Sequence, residues 1–241
     1  SPRTTLQLVV PTLGVPTVFT RFVGREVAVA DRRSWTADGD GLVYRRFAPP
    51  RDGRPEAPAE DPALYLHRLG TPVADDPRLF SLPEDRRDWS LGFDLPGDRR
   101  KLFASVERGP WNDGNLGGSR AQLHLIELEA SGHLREGAKP RVLTEPDAAY
   151  RILHVEDGRA LVFTDKDAPR RRVVWMDLAQ PAPAHWQPVI PEGEGALTNA
   201  QWYGGQLVAH SIENVHSVLR VFDGAGTPAG VIALPGTGVV Q

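Results

Sequence analysis

The chain has 241 residues, 28 Lys+Arg against 31 Asp+Glu for a formal net charge of −3, and 24 Gly and 22 Pro. That length is ample for a large buried core, and the balanced charge shows no basic patch of the kind that marks a nucleic-acid partner. The chain contains no Cys, which excludes disulfides, Cys-ligated zinc and a Cys nucleophile, and no apolar run of about 18 residues, which argues against a membrane-spanning helix.

Residues 1–33 are the least regular part. Three runs, 5–10, 17–22 and 26–30, have strand character, and Pro11, Gly14, Pro16 and Gly24 punctuate them. Three strands without a clear fourth predict a partial blade. Ser1-Pro2-Arg3-Thr4-Thr5 lacks the regions of a signal peptide; with no Cys, this predicts a soluble, cytoplasmic protein.

From residue 34 onward one unit recurs. The first copy, 34–82, has strands at 42–47, 64–69 and 78–82, interrupted by a polar, Pro-rich loop over 48–62 that has too little apolar surface to bury. The second, 88–144, opens on Asp88-Trp89-Ser90-Leu91-Gly92-Phe93-Asp94-Leu95, turns at Pro96-Gly97-Asp98, and continues through 101–106, 122–128 and 141–143. The third, 150–190, has runs at 150–155, 160–164, 172–178 and 186–190; the fourth, 197–235, has runs at 197–202, 206–211, 218–223 and 230–234. The tail, 236–241, could begin another blade or pair back onto the first strands.

Alternation of period two in these runs puts a row of side chains on each face of a sheet. The turns near Asp38, Pro96, Asp157 and Tyr203 recur at about 45 to 60 residues, close to propeller repeats. No helical period stands out. A β-sandwich could use the same strands, but it does not need fourfold repetition. The predicted fold is an all-β propeller of four-stranded antiparallel blades over 34–241, with four clear blades and a partial or composite fifth. Such a ring must close. Either the two ends together complete a fifth blade, or the chain is part of a larger propeller.

No self-contained active site is legible. Gly117-Gly118-Ser119-Arg120-Ala121 lacks the closing Gly of a nucleophile elbow and leads into a strand instead of a helix. Of the seven His, His67, His124, His154 and His210 fall within strands and read as structural or surface residues, while His133, His185 and His216 lie in or near loops. None has recognisable metal-ligand spacing, so no metal and no cofactor are expected. The acidic pairs Asp38/Asp40, Asp75-Asp76 and Glu84-Asp85 read as solvated turn residues, and Arg170-Arg171-Arg172 as a solvated turn.

Two segments carry a family resemblance. Ser34-Trp35-Thr36-Ala37-Asp38-Gly39-Asp40-Gly41-Leu42-Val43-Tyr44 is followed by Leu64-Tyr65-Leu66-His67-Arg68-Leu69-Gly70-Thr71. In this order they resemble the propeller of prolyl oligopeptidases, in which Trp-Thr-x-Asp-Gly-x-Gly-apolar-x-Tyr precedes Tyr-x-His-x-Leu-Gly-Thr. The stretch 89–109, ending in Ser105-Val106-Glu107-Arg108-Gly109, continues the likeness, which covers roughly 34–240. The family pairs a seven-bladed propeller with an α/β-hydrolase domain bearing a Ser-Asp-His triad. The resemblance implies that this chain matches only the middle and later blades.

The resemblance also implies a role. The chain would be the non-catalytic propeller part of a serine peptidase, admitting peptides to a separate α/β-hydrolase domain that cleaves after proline. It would contribute no catalytic residue. The propeller face beneath the hydrolase supplies side chains to the outer substrate pocket, and the matching positions here are Ser90, Glu107, Arg108 and Pro110. The order Glu107-Arg108 reverses the Arg-Glu common in the family, and Pro110 stands where Cys is common. Trp35, Trp89, Trp175 and Trp202 read as inter-blade packing. The alternative is a free-standing propeller used as a binding or assembly scaffold through loops on one face. A small-molecule enzyme with a site in the central channel has no supporting cluster. Unpaired terminal blades predict self-association.

Overall fold

The structure, a computed structural model, describes residues 33–48, 60–108 and 120–234. The strands expected at 5–10, 17–22 and 26–30, the tail 236–241 and Pro110 lie outside the described residues, as does any fifth blade built from the ends.

Among the described residues, sixteen strands form four antiparallel sheets of four, each strand paired with the next in sequence. Blade 1 holds β1 (Arg33–Trp35), β2 (Gly41–Ala48), β3 (Glu60–Arg68) and β4 (Arg78–Ser81). Blade 2 holds β5 (Ser90–Asp94), β6 (Lys101–Arg108), β7 (Arg120–Glu127) and β8 (Arg141–Val142). Blade 3 holds β9 (Tyr150–Glu156), β10 (Arg159–Thr164), β11 (Arg172–Asp177) and β12 (Gln187–Ile190). Blade 4 holds β13 (Ala196–Tyr203), β14 (Gln206–Glu213), β15 (His216–Asp223) and β16 (Pro228–Ile232). Short 3-10 turns, Val73–Asp75, Glu84–Arg86 and Pro183–His185, are the helical pieces among the described residues.

Side-chain alternation builds the core. Successive residues of one strand point to opposite faces, so each inner sheet feeds two seams. Leu102, Ala104 and Val106 of β6 pack with Val43, Leu64 and Leu66 between blades 1 and 2, while Phe103 packs with Leu123, Leu125 and Val162 between blades 2 and 3. Likewise Ala160 and Val162 of β10 face blade 2, and Leu161 and Phe163 pack against Leu197, Leu207 and Ala209 of blade 4. Trp89 packs in the first seam and Trp175 and Trp202 in the third. The indole of Trp175 donates to Gly224 O at 2.9 Å, a bond from blade 3 to blade 4.

Two boundaries at prolines differ from expectation. β3 begins at Glu60, so the strand includes Pro62 from the expected loop. The β2–β3 register shifts between Arg46 and Ala48, and Asp61 has φ +47°. A bulge of this kind tolerates a residue that has no N–H to give the ladder. The outer strand of blade 4 starts at Pro228 and ends at Ile232, two residues earlier than the 230–234 run suggests.

Because neighbouring strands run antiparallel, the connections fall into two groups. The first-to-second turns and the third-to-fourth loops gather at one end of the blades. The ends of the second strands, the starts of the third strands and the blade-to-blade linkers (82–89, 143–149 and 191–195) gather at the other, here called the linker end. Among the described residues no helix is long and apolar enough to cross a membrane.

Candidate functional site

Three of the residues singled out by resemblance, Ser90, Glu107 and Arg108, lie at the linker end of blade 2. Ser90 opens β5 and is the direct cross-strand partner of Glu107 on β6. Opposed residues of an antiparallel pair share one face, so both belong to the blade 3 side, as does Ser105. The Ser105 hydroxyl donates to Glu107 Oε1 at 2.7 Å. Arg108, the last residue of β6, lies opposite Arg120 on β7. The structure therefore joins Ser90 with Glu107, sets Arg108 next to Glu107 at the strand end, and leaves Pro110 undescribed.

Charge at this end alternates across the seam to blade 3. Arg120 Nη1 donates to Asp165 Oδ2 at 3.3 Å, and Asp165 Oδ1 accepts the Ala149 N–H at 2.7 Å. Next to it, Asp147 accepts from Lys166 Nζ at 2.7 Å and from the Tyr150 hydroxyl at 2.8 Å. Burial pushes the Asp147 carboxyl up, but the bonds from Lys166 and Tyr150 outweigh it and hold the group below its ordinary range. Burial, and then the neighbouring carboxylate, push the Tyr150 phenol well above its ordinary value.

On the blade 1 side of the same sheet, Arg86 from the linker donates to Gln122 Oε1 and sits over the Trp89 ring at 4.9 Å. His124 Nε2 lies 3.2 Å from the same Gln122 oxygen, and its ring is 5.0 Å from Phe80. Burial, reinforced by the Arg86 charge, pushes His124 down to about 4, so the imidazole is neutral at physiological pH. This group ties the linker to the sheet and so fixes where Trp89 and Ser90 enter the rim.

A buried pairing that the sequence does not disclose lies at the opposite end. In blade 1, Tyr44 donates its hydroxyl to Asp76 Oδ2 at 2.7 Å, and His67 Nδ1 is 3.0 Å from Asp76 Oδ1, with side chains 8% and 1% exposed. Asp75-Asp76 is thus not a solvated pair throughout: Asp76 turns inward while Asp75 stays exposed. An Asp–His pair supplies two parts of a hydrolytic triad, but the other side chain on Asp76 is a phenol whose ionisation burial opposes first and Asp76 second. The pairing reads as a satisfied buried network. No periodicity could have found it, because the loop before β4 brings residues nine apart together.

Two further strand His residues also have partners. His154 stacks on Trp202 at 4.7 Å and 14°, and His210 Nε2 meets Ser217 Oγ at 2.8 Å. Among the described residues no three His, Cys, Asp or Glu side chains gather as a metal site.

Comparison with known proteins agrees with this architecture. Residues 25–241 match the family model described as prolyl oligopeptidase, N-terminal beta-propeller domain. The prolyl endopeptidase of Elizabethkingia meningoseptica is 25% identical over 206 residues, covering 85% of this chain and 27% of the relative. Prolyl oligopeptidase A of Galerina marginata is 26% identical over 172 residues, covering 68% of this chain and 22% of the relative. Among solved structures, a prolyl endopeptidase superposes with TM-score 0.69 at 26% identity, over 86% of this chain and 28% of its own. Prolyl oligopeptidase B of Galerina marginata, bound to a 25mer macrocyclization substrate, has the same fold, with TM-score 0.71 at 22% identity over 86% of this chain and 28% of its own. The chain spans about a quarter of the length of the curated relatives it matches. It belongs to the prolyl oligopeptidase family, to whose N-terminal β-propeller domain its residues 25–241 correspond.

Proposed function

We propose that this chain is the propeller portion of a prolyl oligopeptidase-like serine peptidase, and that it gates the access of peptides to a separate α/β-hydrolase domain that cleaves after proline. The observation that carries the reading is the family match across four successive four-stranded blades. A ring of blades limits passage by size, so short peptides enter and folded proteins do not. The linker end faces the hydrolase domain in this reading, and Ser90, Glu107, Arg108 and Pro110 form the propeller's part of the outer substrate pocket. The pairing of Ser90 with Glu107 in one cross-strand position supports that assignment. The working compartment is the cytoplasm.

The test starts with the gene. A downstream reading frame with Gly-x-Ser-x-Gly, then Asp and His, is expected; a stop codon directly after Gln241 would move the reading to a binding scaffold. The encoded parent should cleave a proline-containing peptide and leave a folded protein of equal sequence content intact. The isolated chain should cleave neither. Deleting the propeller from the parent should abolish that size discrimination, and retained discrimination would defeat the gating role. Within the parent, Glu107→Gln should raise KM with little change in kcat, which is the signature of binding at a pocket rim.

A further inference from the structure

A well-formed concavity lies on the outer edge of the propeller, where blade 2 meets blade 3. It has a volume of about 480 Å³, within the range of sites that hold a drug-sized ligand or about two peptide residues. One wall is β8, whose Val142 is 46% exposed. The other is the loop before β12, with Pro181, Pro183 and Trp186. Trp186 is already fixed: its indole N–H donates to Pro181 O at 2.9 Å, and Tyr150 meets its ring edge-on at 6.3 Å and 88°. The apolar surface is therefore preformed, which reduces the ordering cost of a ligand.

The polar mouth of the groove is not charge-neutral. Three carboxylates, Glu145, Asp147 and Asp167, stand there against two cations, the Lys166 ammonium and the Arg172 guanidinium, which sits over the Trp186 ring at 5.6 Å. Lys166 is bonded to Asp147 at 2.7 Å and has Asp167 at 3.6 Å. Asp147 holds one donor on each oxygen, and a carboxylate oxygen accepts two. Exposed Glu145, two residues away, has no ion pair among the described residues. An excess of negative charge beside a fixed aromatic and proline wall is complementary to one ligand class.

We infer that this outer groove is a peptide-docking site, separate from the substrate pocket of the proposed reading, for a segment carrying an apolar side chain next to Lys or Arg. The apolar side chain lies against Trp186 and Val142. The adjacent cation reaches Glu145 and the open lone pairs of Asp147. The site needs no hydrolase domain and stands or falls on this chain alone.

The experiment is an NMR titration of the purified chain that follows the indole N–H of Trp186, distinguished from the other five Trp by its loss in Trp186→Phe. The probe is acetyl-Leu-Arg-amide, with acetyl-Leu-Glu-amide and acetyl-Pro-Pro-amide as comparators. The expected result is a saturable shift at Trp186 with a Kd on the order of 1 mM. Glu145→Gln, an exposed change that leaves the fold alone, should weaken binding about two- to fivefold, the range for a half-exposed charge pair. Asp147→Asn should do the same, and salt should weaken the arginine probe selectively. Equal or tighter binding of the glutamate probe would overturn the charge argument. Tighter binding of the proline probe would make the groove a proline-rich docking surface instead, and no saturable shift at about 20 mM arginine probe would remove the site.

Discussion

Strands β10 of blade 3 and β14 of blade 4 hold the same place in their sheets, yet they meet different surroundings. In β10, Ala160 through Thr164 are all buried, because even-numbered residues face blade 2 and odd-numbered ones face blade 4. In β14, Leu207 and Ala209 are buried against blade 3, while Val208, His210 and Ile212 on the opposite face are only half-buried. The neighbouring strands repeat the contrast: β12 buries Val189 and Ile190, and β16 leaves Val231 68% and Ile232 42% exposed. Apolar residues stand on both faces in both blades. What differs is whether another described sheet covers the face, so burial here belongs to the layer and not to the strand.

The largest expected effect follows from that contrast. Phe163→Ala empties a site with 0% exposure in the seam between blades 3 and 4, and should cost about 3–5 kcal/mol in chemical denaturation. Val221→Ala, on the half-buried face of β15, should cost less than about 1 kcal/mol. A Val221→Ala cost approaching that of Phe163→Ala would break the comparison, since it would mean that this face is covered in solution. A mass above one chain in light scattering would then be its companion observation.

His124 gives the next effect, and here pH separates the inner seam from the rest. Its folded value of about 4 lies below the ordinary imidazole value of about 6.5, so the unfolded chain takes up a proton that the folded chain refuses. The stability that depends on a neutral His124 is full above pH 6.5 and falls as the pH drops toward 4. Between pH 7 and pH 4 the loss from this one group should be about 2–3 kcal/mol. Carboxylates titrate over the same window in wild type and in His124→Gln, so the difference between the two isolates the imidazole. The wild type's margin over His124→Gln should shrink by that amount as the pH falls. A constant margin would mean that His124 protonates without penalty and is not sealed in the seam.

These contrasts also show which parts of the molecule the sequence could reveal. Inner strands such as β6, β7 and β10 were legible because their apolar runs and bounding turns are local features, and the four-strand order repeats. Trp89, Trp175 and Trp202 were legible as seam residues for the same reason. The Asp76–His67–Tyr44 network was not, since it depends on a loop folding inward. Nor was the groove at Trp186, which needs two blades and the loop before β12 in place. The site residues were an intermediate case: resemblance alone pointed to Ser90 and Glu107, and only the β5–β6 register made them partners. Pro62 read as loop because a lone Pro argues against a strand, and the bulge that admits it leaves no mark in composition.

The smallest expected effect concerns a turn, and again sets blade 3 against blade 4. The β9–β10 turn is Asp157-Gly158, with φ +46° and +75°, and the β14–β15 turn is Asn214-Val215, with φ +48° and +67°. Both are two-residue turns with both residues left-handed, the geometry whose twist matches antiparallel strands. Gly adopts it freely, whereas a β-branched residue brings its Cβ against the backbone. Val215 recovers nothing in return, since it is 78% exposed. This also explains why β14 and β15 run to Glu213 and from His216, beyond their sequence runs: Asn-Val does not read as a turn. Val215→Gly should therefore stabilise the chain by about 1 kcal/mol, the relief of left-handed strain being partly offset by the greater freedom of Gly in the unfolded chain. Gly158→Val in blade 3 should move stability by a similar amount in the opposite direction. A destabilised Val215→Gly would show that Val215 gains cover in solution that its exposure does not reveal, and would point to the same uncovered blade as a tight response at Val221.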